Sequence, residues 1–137
     1  MGYMHRTGTP KGGFPKFVVK DEIVLTSVQI RETEPSEELT VSIEIGWDNS
    51  GAWDMGELEI MLRRDRPDGE IVYWSPESCF ASVLTRLQYK SVGGASARLY
   101  YLTVRSPQAR AVVSGPYWLQ GTVRAIGRGA GPSDGSA

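Results

Sequence analysis

Apolar and polar residues alternate along most of this chain, and a period of two residues predicts β-strands rather than helices. Seven such runs occur, at 22–31, 39–47, 58–63, 71–74, 83–89, 99–104 and 116–126. No window shows the 3.6-residue period of an amphipathic helix, and at most one helical turn is expected near Pro76–Ser82. The pattern therefore predicts an all-β fold.

Seven short strands separated by turn residues favour an antiparallel, immunoglobulin-like β-sandwich, with a closed barrel as the alternative. Pro67, Asp68 and Gly69 are turn-forming residues, so the run at 71–74 is expected to pair with the preceding one as a hairpin. Residues on one face of each run are expected to form the core. Those with the clearest phase are Val41, Ile43, Ile45, Ile60, Leu62, Leu99 and Tyr101.

The ends of the chain lack this alternation. Residues 1–19 are expected to form an extended arm, 20–126 the sandwich, and 127–137 a flexible tail of small residues. The arm nevertheless carries apolar side chains that a simple lead-in would not need. We therefore expect the arm to bind a protein partner through Phe14, Phe17, Val18 and Val19.

A chain of 137 residues with 40% hydrophobic and 23% charged residues is expected to form one globular domain. Cys79 is the only cysteine, so no internal disulfide can support the fold. No segment is apolar enough for a membrane helix, and the first residues lack the apolar stretch of a secretory signal. These features predict a protein that is cytoplasmic at synthesis and has no membrane partner.

The net charge of -1 hides an uneven distribution along the sequence. Residues 1–81 contain 8 Lys and Arg against 15 Asp and Glu, whereas residues 82–137 contain 7 against 1. If the two halves stay apart after folding, the protein has complementary acidic and basic surfaces for binding itself or a scaffold. If strands from the two halves alternate in space, the charges average out instead.

The chain lacks the residues that common catalytic and cofactor sites require. His5 is the only histidine and lies in the arm, so no histidine base is available within the sandwich. There is no phosphate-binding loop or dinucleotide motif, and Asp48, Asn49 and Asp54 fit an ordinary turn better than a calcium loop. A pI near 5.8 and the absence of a dense basic cluster argue against nucleic acid. We expect no enzyme activity, cofactor or metal.

Aromatic residues near the ends of strands provide the remaining candidate site. Exposed tryptophan and tyrosine rings are frequent in surfaces that bind proteins or sugar rings. The residues expected to form such a ligand or partner platform are Trp53, Trp74, Tyr117 and Trp118.

The passage LTVSIEIGWDNSGAW, followed by ELEIML, resembles the strand–turn–strand passages of immunoglobulin-like adhesion domains of the CARDB type. The similarity rests on Asn49, Gly51 and the strand periodicity over 22–126. It implies a non-catalytic extracellular or assembly module and transfers no binding residue.

Together, these features predict a structural subunit of a larger protein assembly, such as a virion decoration or tail component or a surface filament subunit. A homo-oligomer formed through the arm is expected in that case. The alternative is a carbohydrate-binding β-sandwich module that uses its loop tryptophans.

Overall fold

The computed structural model describes residues 2–51 and 54–126, and every regular element in these ranges is a β-strand. The first half contributes β1 (Tyr3–Thr9), β2 (Phe17–Val18), β3 (Ile23–Ile30), β4 (Glu37–Asn49) and β5 (Gly56–Arg64). The second half contributes β6 (Glu70–Cys79), β7 (Ser82–Val92), β8 (Arg98–Arg105) and β9 (Ala111–Ala125). The predicted all-β class is therefore confirmed.

The strands form two antiparallel sheets packed as a sandwich. Sheet A has the order β1-β9-β4-β7, with β2 pairing β9, and sheet B has the order β3-β8-β5-β6. The pairs β1/β9, β3/β8, β4/β7 and β5/β6 are nested along the chain, as in one long hairpin folded over on itself. Apart from the two-residue β2, each sheet has four strands, and this order is that of a jelly roll. The immunoglobulin order predicted from the sequence has seven strands divided four and three, and differs from this one.

The core lies between the inner faces of β4 and β9 on one side and of β3, β5 and β8 on the other. Its largest fully buried side chains include Trp47, Ile45, Ile60, Leu62 and Leu102. The Trp47 indole N–H donates a hydrogen bond of 2.9 Å to Thr85 Oγ1, which satisfies the one polar group that this large ring carries. The predicted core residues of the two central runs, 39–47 and 58–63, are confirmed.

The predicted core face of β8 is wrong. Tyr100, Leu102 and Val104 are buried, whereas Leu99 and Tyr101 are only partly buried on the other face. Both faces of this strand carry apolar or aromatic residues, so alternation alone does not determine which one turns inward. Cross-strand pairing settles the question, because Leu102 lies opposite the buried Leu62.

Residues 3–9 and 17–19 belong to the sandwich, which corrects the predicted extended arm. β1 pairs with β9 from Tyr3 opposite Val123 to Thr9 opposite Tyr117. Its inward side chains then contact the edge of sheet B. The hydroxyl groups of Tyr3 and Thr7 donate to the carbonyl oxygens of Gln29 and Ser27 at 3.0 and 2.8 Å. Polar side chains therefore close the gap between the two sheets along this edge.

Between residues 64 and 82, the predicted hairpin is confirmed and the predicted helical turn is wrong. The hairpin is present, with Gly69 N–H donating to Arg66 O at 2.9 Å in the turn and β6 pairing with β5 beyond it. The helical turn expected near Pro76–Ser82 is absent, because β6 continues to Cys79 and β7 starts at Ser82. A proline is tolerated in β6 because this strand is at the edge of its sheet.

The fold mixes the acidic and basic halves of the chain. β9 and β7 flank β4, and β8 lies beside β5, so each basic strand has an acidic neighbour. Four of the ion pairs join the two halves: Glu44–Arg86, Asp65–Arg98, Glu59–Arg105 and Asp54–Arg110. Of the two alternatives, the averaging of the charges is the one observed, and the prediction of complementary acidic and basic surfaces for a partner is wrong.

Candidate functional site

The strongest candidate site is a groove on the outer face of sheet A, with a volume of about 540 Å³. Two rows of side chains cross all four strands there, because directly paired residues project from the same face. The first row is Arg6, Gln120, Ser42 and Gln88. The second row is Gly8, Trp118, Glu44 and Arg86. We call this feature the outer groove.

Trp118 occupies its place in the groove because the paired residue on β1 is a glycine. Gly8 has a φ of 146°, and a Cβ there would approach Trp118 Cε3 to 2.8 Å. The indole can therefore lie against the backbone of β1. On the same strand, the guanidinium carbon of Arg6 lies 4.1 Å from the centroid of the Trp118 ring, which is a cation–π contact.

The remaining groove side chains are mostly polar and retain hydrogen-bonding capacity. Arg86 Nε donates to Glu44 Oε1 at 3.2 Å, and Gln120 Nε2 donates to Thr122 Oγ1 at 3.2 Å. The side chains of Ser42 and Gln88 make no hydrogen bond to any part of the chain that the structure describes. The groove thus presents an aromatic ring beside free amide and hydroxyl groups.

A second groove, of about 740 Å³, continues along β4 and β7 past Glu44. A bulge in β4 between Ile45 and Trp47 faces the cis peptide Gly115–Pro116 of β9, and a Cβ on Gly46 would meet Gly115 O at 2.2 Å. Lys11 and Lys16 line this part of the surface. At about 3.3 Å per residue, the six steps from Ser42 to Asp48 span about 20 Å. The combined surface suits an extended ligand.

The structure places the three described platform aromatics, Trp74, Tyr117 and Trp118, apart from one another. Trp118 lies in the outer groove, but Tyr117 faces the core side and meets Phe14 edge-on at 5.1 Å between ring centroids. Trp74 is 54% exposed on β6 of sheet B, where its indole N–H donates to Glu59 Oε1 at 3.3 Å. Trp53 lies outside the described residues. Of the three described aromatics, only Trp118 remains a candidate at this site.

The predicted partner-binding residues of the arm pack mainly on their own domain. Val19 is fully buried in the core, and the rings of Phe14 and Phe17 pack together at 5.8 Å. Val18 alone projects outward, at 49% exposure. The expectation that all four apolar side chains lie across a neighbouring molecule is corrected, because the sandwich itself supplies partners for three of them.

Most of the groove residues were not predicted from the sequence. Arg6, Ser42, Glu44, Arg86, Gln88 and Gln120 come from four strands that are distant in sequence. The only available signal was the polar phase of the run 39–47, in which Thr40, Ser42 and Glu44 alternate with the core. The pairing register, which joins them to β1, β7 and β9, cannot be read from that alternation.

Neither a cation site at Asn49 nor a reactive thiol at Cys79 is supported by the structure. Asn49 donates through Nδ2 to Asp54 O at 2.7 Å and accepts from Gly51 N–H at 2.9 Å, so its side chain organises the loop instead of facing a cation. Burial raises the pKa of the half-buried Cys79 thiol, with a smaller contribution from the charge of Asp48. Within 2–51 and 54–126, no three His, Cys, Asp or Glu residues are grouped to hold a metal ion.

Over the same described ranges, no helix is long and apolar enough to cross a membrane.

No family model matches this chain, and neither does any curated protein. Among solved structures, dimeric latent PorU from Porphyromonas gingivalis aligns with 91% of this chain at 13% identity and a TM-score of 0.58. The alignment spans only 13% of the PorU chain, so this chain is similar in fold to one part of that much larger protein.

Two further solved structures align at lower scores. A naturally occurring empty particle of cowpea mosaic virus matches 99% of this chain and 93% of its own at 12% identity, with a TM-score of 0.36. The CBM22-1 xylan-binding domain of Xyn10C from Paenibacillus barcinonensis matches 90% and 93% at 12% identity, with a TM-score of 0.33. Similarities this distant carry no functional inference. None of the three structures is a CARDB-type domain, and that resemblance stays a prediction.

Proposed function

We propose that this chain is a non-catalytic binding module that holds an extended carbohydrate along the outer face of sheet A. The observation that carries the proposal is the outer groove, where the Trp118 ring lies beside the unengaged side chains of Ser42 and Gln88. Sugar rings combine apolar C–H faces with hydroxyl groups that both donate and accept hydrogen bonds. The part of the Trp118 indole that Arg6 and β1 do not cover matches the first feature, and amide and hydroxyl side chains match the second.

The length and rigidity of the surface favour a polymer over a single sugar. The two grooves follow one another along β4, and many of their side chains project from paired strands, which hold them in fixed positions. Sites on regular strands lose little conformational entropy on binding, because their backbone is already ordered. A chain of sugar units lying along β4 would contact both grooves.

Two tryptophans provide a matched test of this proposal. Binding of soluble polysaccharides is measured by affinity electrophoresis for the unmodified protein, Trp118→Ala and Trp74→Ala. Trp118→Ala is expected to weaken binding about tenfold or more, in the range of buried aromatic contacts at binding sites. Trp74 is exposed but lies on sheet B, so Trp74→Ala is expected to bind normally. Thermal unfolding followed by circular dichroism verifies that both variants are folded.

The opposite pattern would contradict the proposal. If Trp74→Ala lost binding while Trp118→Ala kept it, the ligand would occupy sheet B. If the unmodified protein bound no polysaccharide from a broad panel of neutral and acidic types, the carbohydrate function would be wrong.

Assembly is a second candidate function, and the free edge of sheet A favours it. β7 is an eleven-residue edge strand whose described partner within the sheet is β4 alone, and it contains no proline. Nearby, Phe80 is 71% exposed and Val92 is 80% exposed. An open edge of this length with apolar neighbours can add a strand from a second molecule. A virion component or filament subunit would use such a contact.

Light scattering coupled to size-exclusion chromatography tests the assembly candidate. The unmodified protein is expected to associate as its concentration rises, and Phe80→Asp to remain monomeric. Met4→Asp serves as the control, because Met4 is also exposed but lies on β1 at the opposite edge of sheet A. A protein that is monomeric at every concentration, alone and with particles from its source, would remove this candidate.

A further inference from the structure

Arg6 stands apart from most arginines of the chain because it has no carboxylate partner among the described residues. Eight arginines lie within 4.0 Å of an Asp or Glu oxygen. Arg6 and Arg124 do not, over the ranges that the structure describes. Of these two, only Arg6 lines the outer groove.

The position of Arg6 leaves its hydrogen-bonding groups available to a ligand. Its guanidinium is held over the Trp118 ring at 4.1 Å, and it makes no hydrogen bond to the described chain. A guanidinium stacked on a ring keeps the N–H groups at its rim, which can grip both oxygens of a carboxylate at once. The indole therefore positions the charged group while leaving its donors unused.

The surrounding charges also favour an anion. Glu44 is the one carboxylate that lines the outer groove among described residues, and Arg86 pairs with it at 3.2 Å. In the second groove, Asp48 accepts a hydrogen bond from Ser114, while Lys11 and Lys16 lie nearby. The two grooves together contain four basic and two acidic side chains. The net charge of the two grooves taken together is therefore positive, which favours a negatively charged polymer.

We propose that the ligand of the outer groove is an acidic polysaccharide, and that Arg6 binds the carboxylate of one of its uronic acid units. This inference rests on the proposed carbohydrate function and specifies the class of sugar. One unit of the polymer that lies along β4 meets Ser42 and the neighbouring Gln120 through its hydroxyl groups, and its carboxylate points across β9 to Arg6 at the end of the first row.

The test compares two forms of one polymer. Polygalacturonate carries a carboxylate on each unit, and its fully methyl-esterified form keeps the same backbone without that charge. Isothermal titration of the full chain is expected to show about tenfold or more preference for the acidic form, the size of one charge-assisted, two-point contact. Arg6→Gln is expected to remove that preference while keeping binding to the esterified polymer.

Two further variants separate the specific contact from general charge. Arg124→Gln removes the other described arginine that has no carboxylate partner within 2–51 and 54–126. Because Arg124 is exposed on β9 and does not line the groove, the preference should stay intact. Arg6→Lys keeps the charge but not the two-point geometry, so an intermediate preference is expected. The preference should also fall as added salt shortens the Debye length from about 10 Å at 0.1 M to about 3 Å at 1 M.

The outcomes distinguish this inference from the proposed function. Equal binding of both polymer forms that still requires Trp118 would overturn the role of Arg6 and leave the carbohydrate function standing. Retention of the preference in Arg6→Gln, or its loss in Arg124→Gln, would also overturn it. If neither form binds, the acidic polysaccharide is excluded, and the polysaccharide panel then decides whether the proposed function fails as well.

Discussion

The face of β8 that enters the core can be tested with two leucines of the same strand. Leu102 is fully buried opposite Leu62, whereas Leu99 is half-buried on the outer face of sheet B. Replacing each with alanine removes the same three carbon atoms from the same strand. The two variants therefore differ in burial and not in chemistry or strand propensity.

The expected magnitudes follow from these environments. At about 0.8 kcal/mol per buried CH₂, Leu102→Ala loses about 2.4 kcal/mol of transfer free energy. The cavity left in a rigid core raises the total to about 3–5 kcal/mol. A half-buried leucine loses about half of the transfer energy and opens no enclosed cavity, so Leu99→Ala should cost about 1 kcal/mol.

Urea unfolding followed by tryptophan fluorescence measures both values. The midpoint should fall much further for Leu102→Ala than for Leu99→Ala, with similar slopes for the two variants, because a change of slope would indicate an altered unfolded state. A cost for Leu99→Ala equal to or greater than that for Leu102→Ala would refute the inward assignment of Tyr100, Leu102 and Val104.

Three further predictions concern single positions. Hydrogen bonds from Arg31 and, to a smaller extent, from the backbone lower the pKa of Glu37 to about 2. The ionised carboxylate therefore stabilises the fold above its ordinary pKa of about 4.5, and this stability should be lost as the pH falls towards 2. Glu37→Gln should flatten that part of a stability–pH profile. Gly8→Ala and Gly12→Ala both place a side chain at positive φ, but only Gly8 has close neighbours, so thermal melting should show a larger loss for Gly8→Ala by about 1–3 kcal/mol. Because burial raises the pKa of the Cys79 thiol, a thiol-reactive dye should label the native protein slowly at neutral pH and the urea-unfolded protein rapidly.

Strand alternation was sufficient where only one face of a strand is apolar. In 39–47 the polar phase is unambiguous, so the inward positions of Val41, Ile43 and Ile45 could be predicted. In β8, tyrosines and leucines occupy both phases, and the choice depends on pairing with β5. Such pairing joins distant parts of the chain, and the local pattern does not contain it.

The first strand could not be predicted for a different reason. β1 faces the sandwich with Tyr3, His5 and Thr7, whose polar groups bond to the backbone of β3. A strand that contributes hydrogen bonds at a sheet edge has no apolar alternation, so it looks irregular in sequence. The same reasoning explains the jelly-roll order, because nested pairing of the first strand with the last is a property of the whole chain.

The outer groove could also not be predicted from the alternation of apolar and polar residues along the chain. Trp118 was identified as a candidate, but its neighbours were not, because Arg6 and Arg86 are eighty residues apart in sequence and share a groove only through β9 and β4. The role of Gly8 could not be predicted either, because only the pairing register shows that it makes room for the indole of Trp118 on the paired strand.

The most direct test of the proposed site uses the indole N–H signals of the four tryptophans in a ¹H–¹⁵N spectrum. Titration with polygalacturonate, with assignments from Trp118→Phe and Trp74→Phe, reports on both sheets and the core at once. The signal of Trp118 should shift, while those of Trp74 on sheet B and Trp47 in the core should stay unchanged. A shift of the Trp74 signal with an unchanged Trp118 signal, or no shift of Trp118 with any polysaccharide tested, would contradict a binding site on the outer face of sheet A.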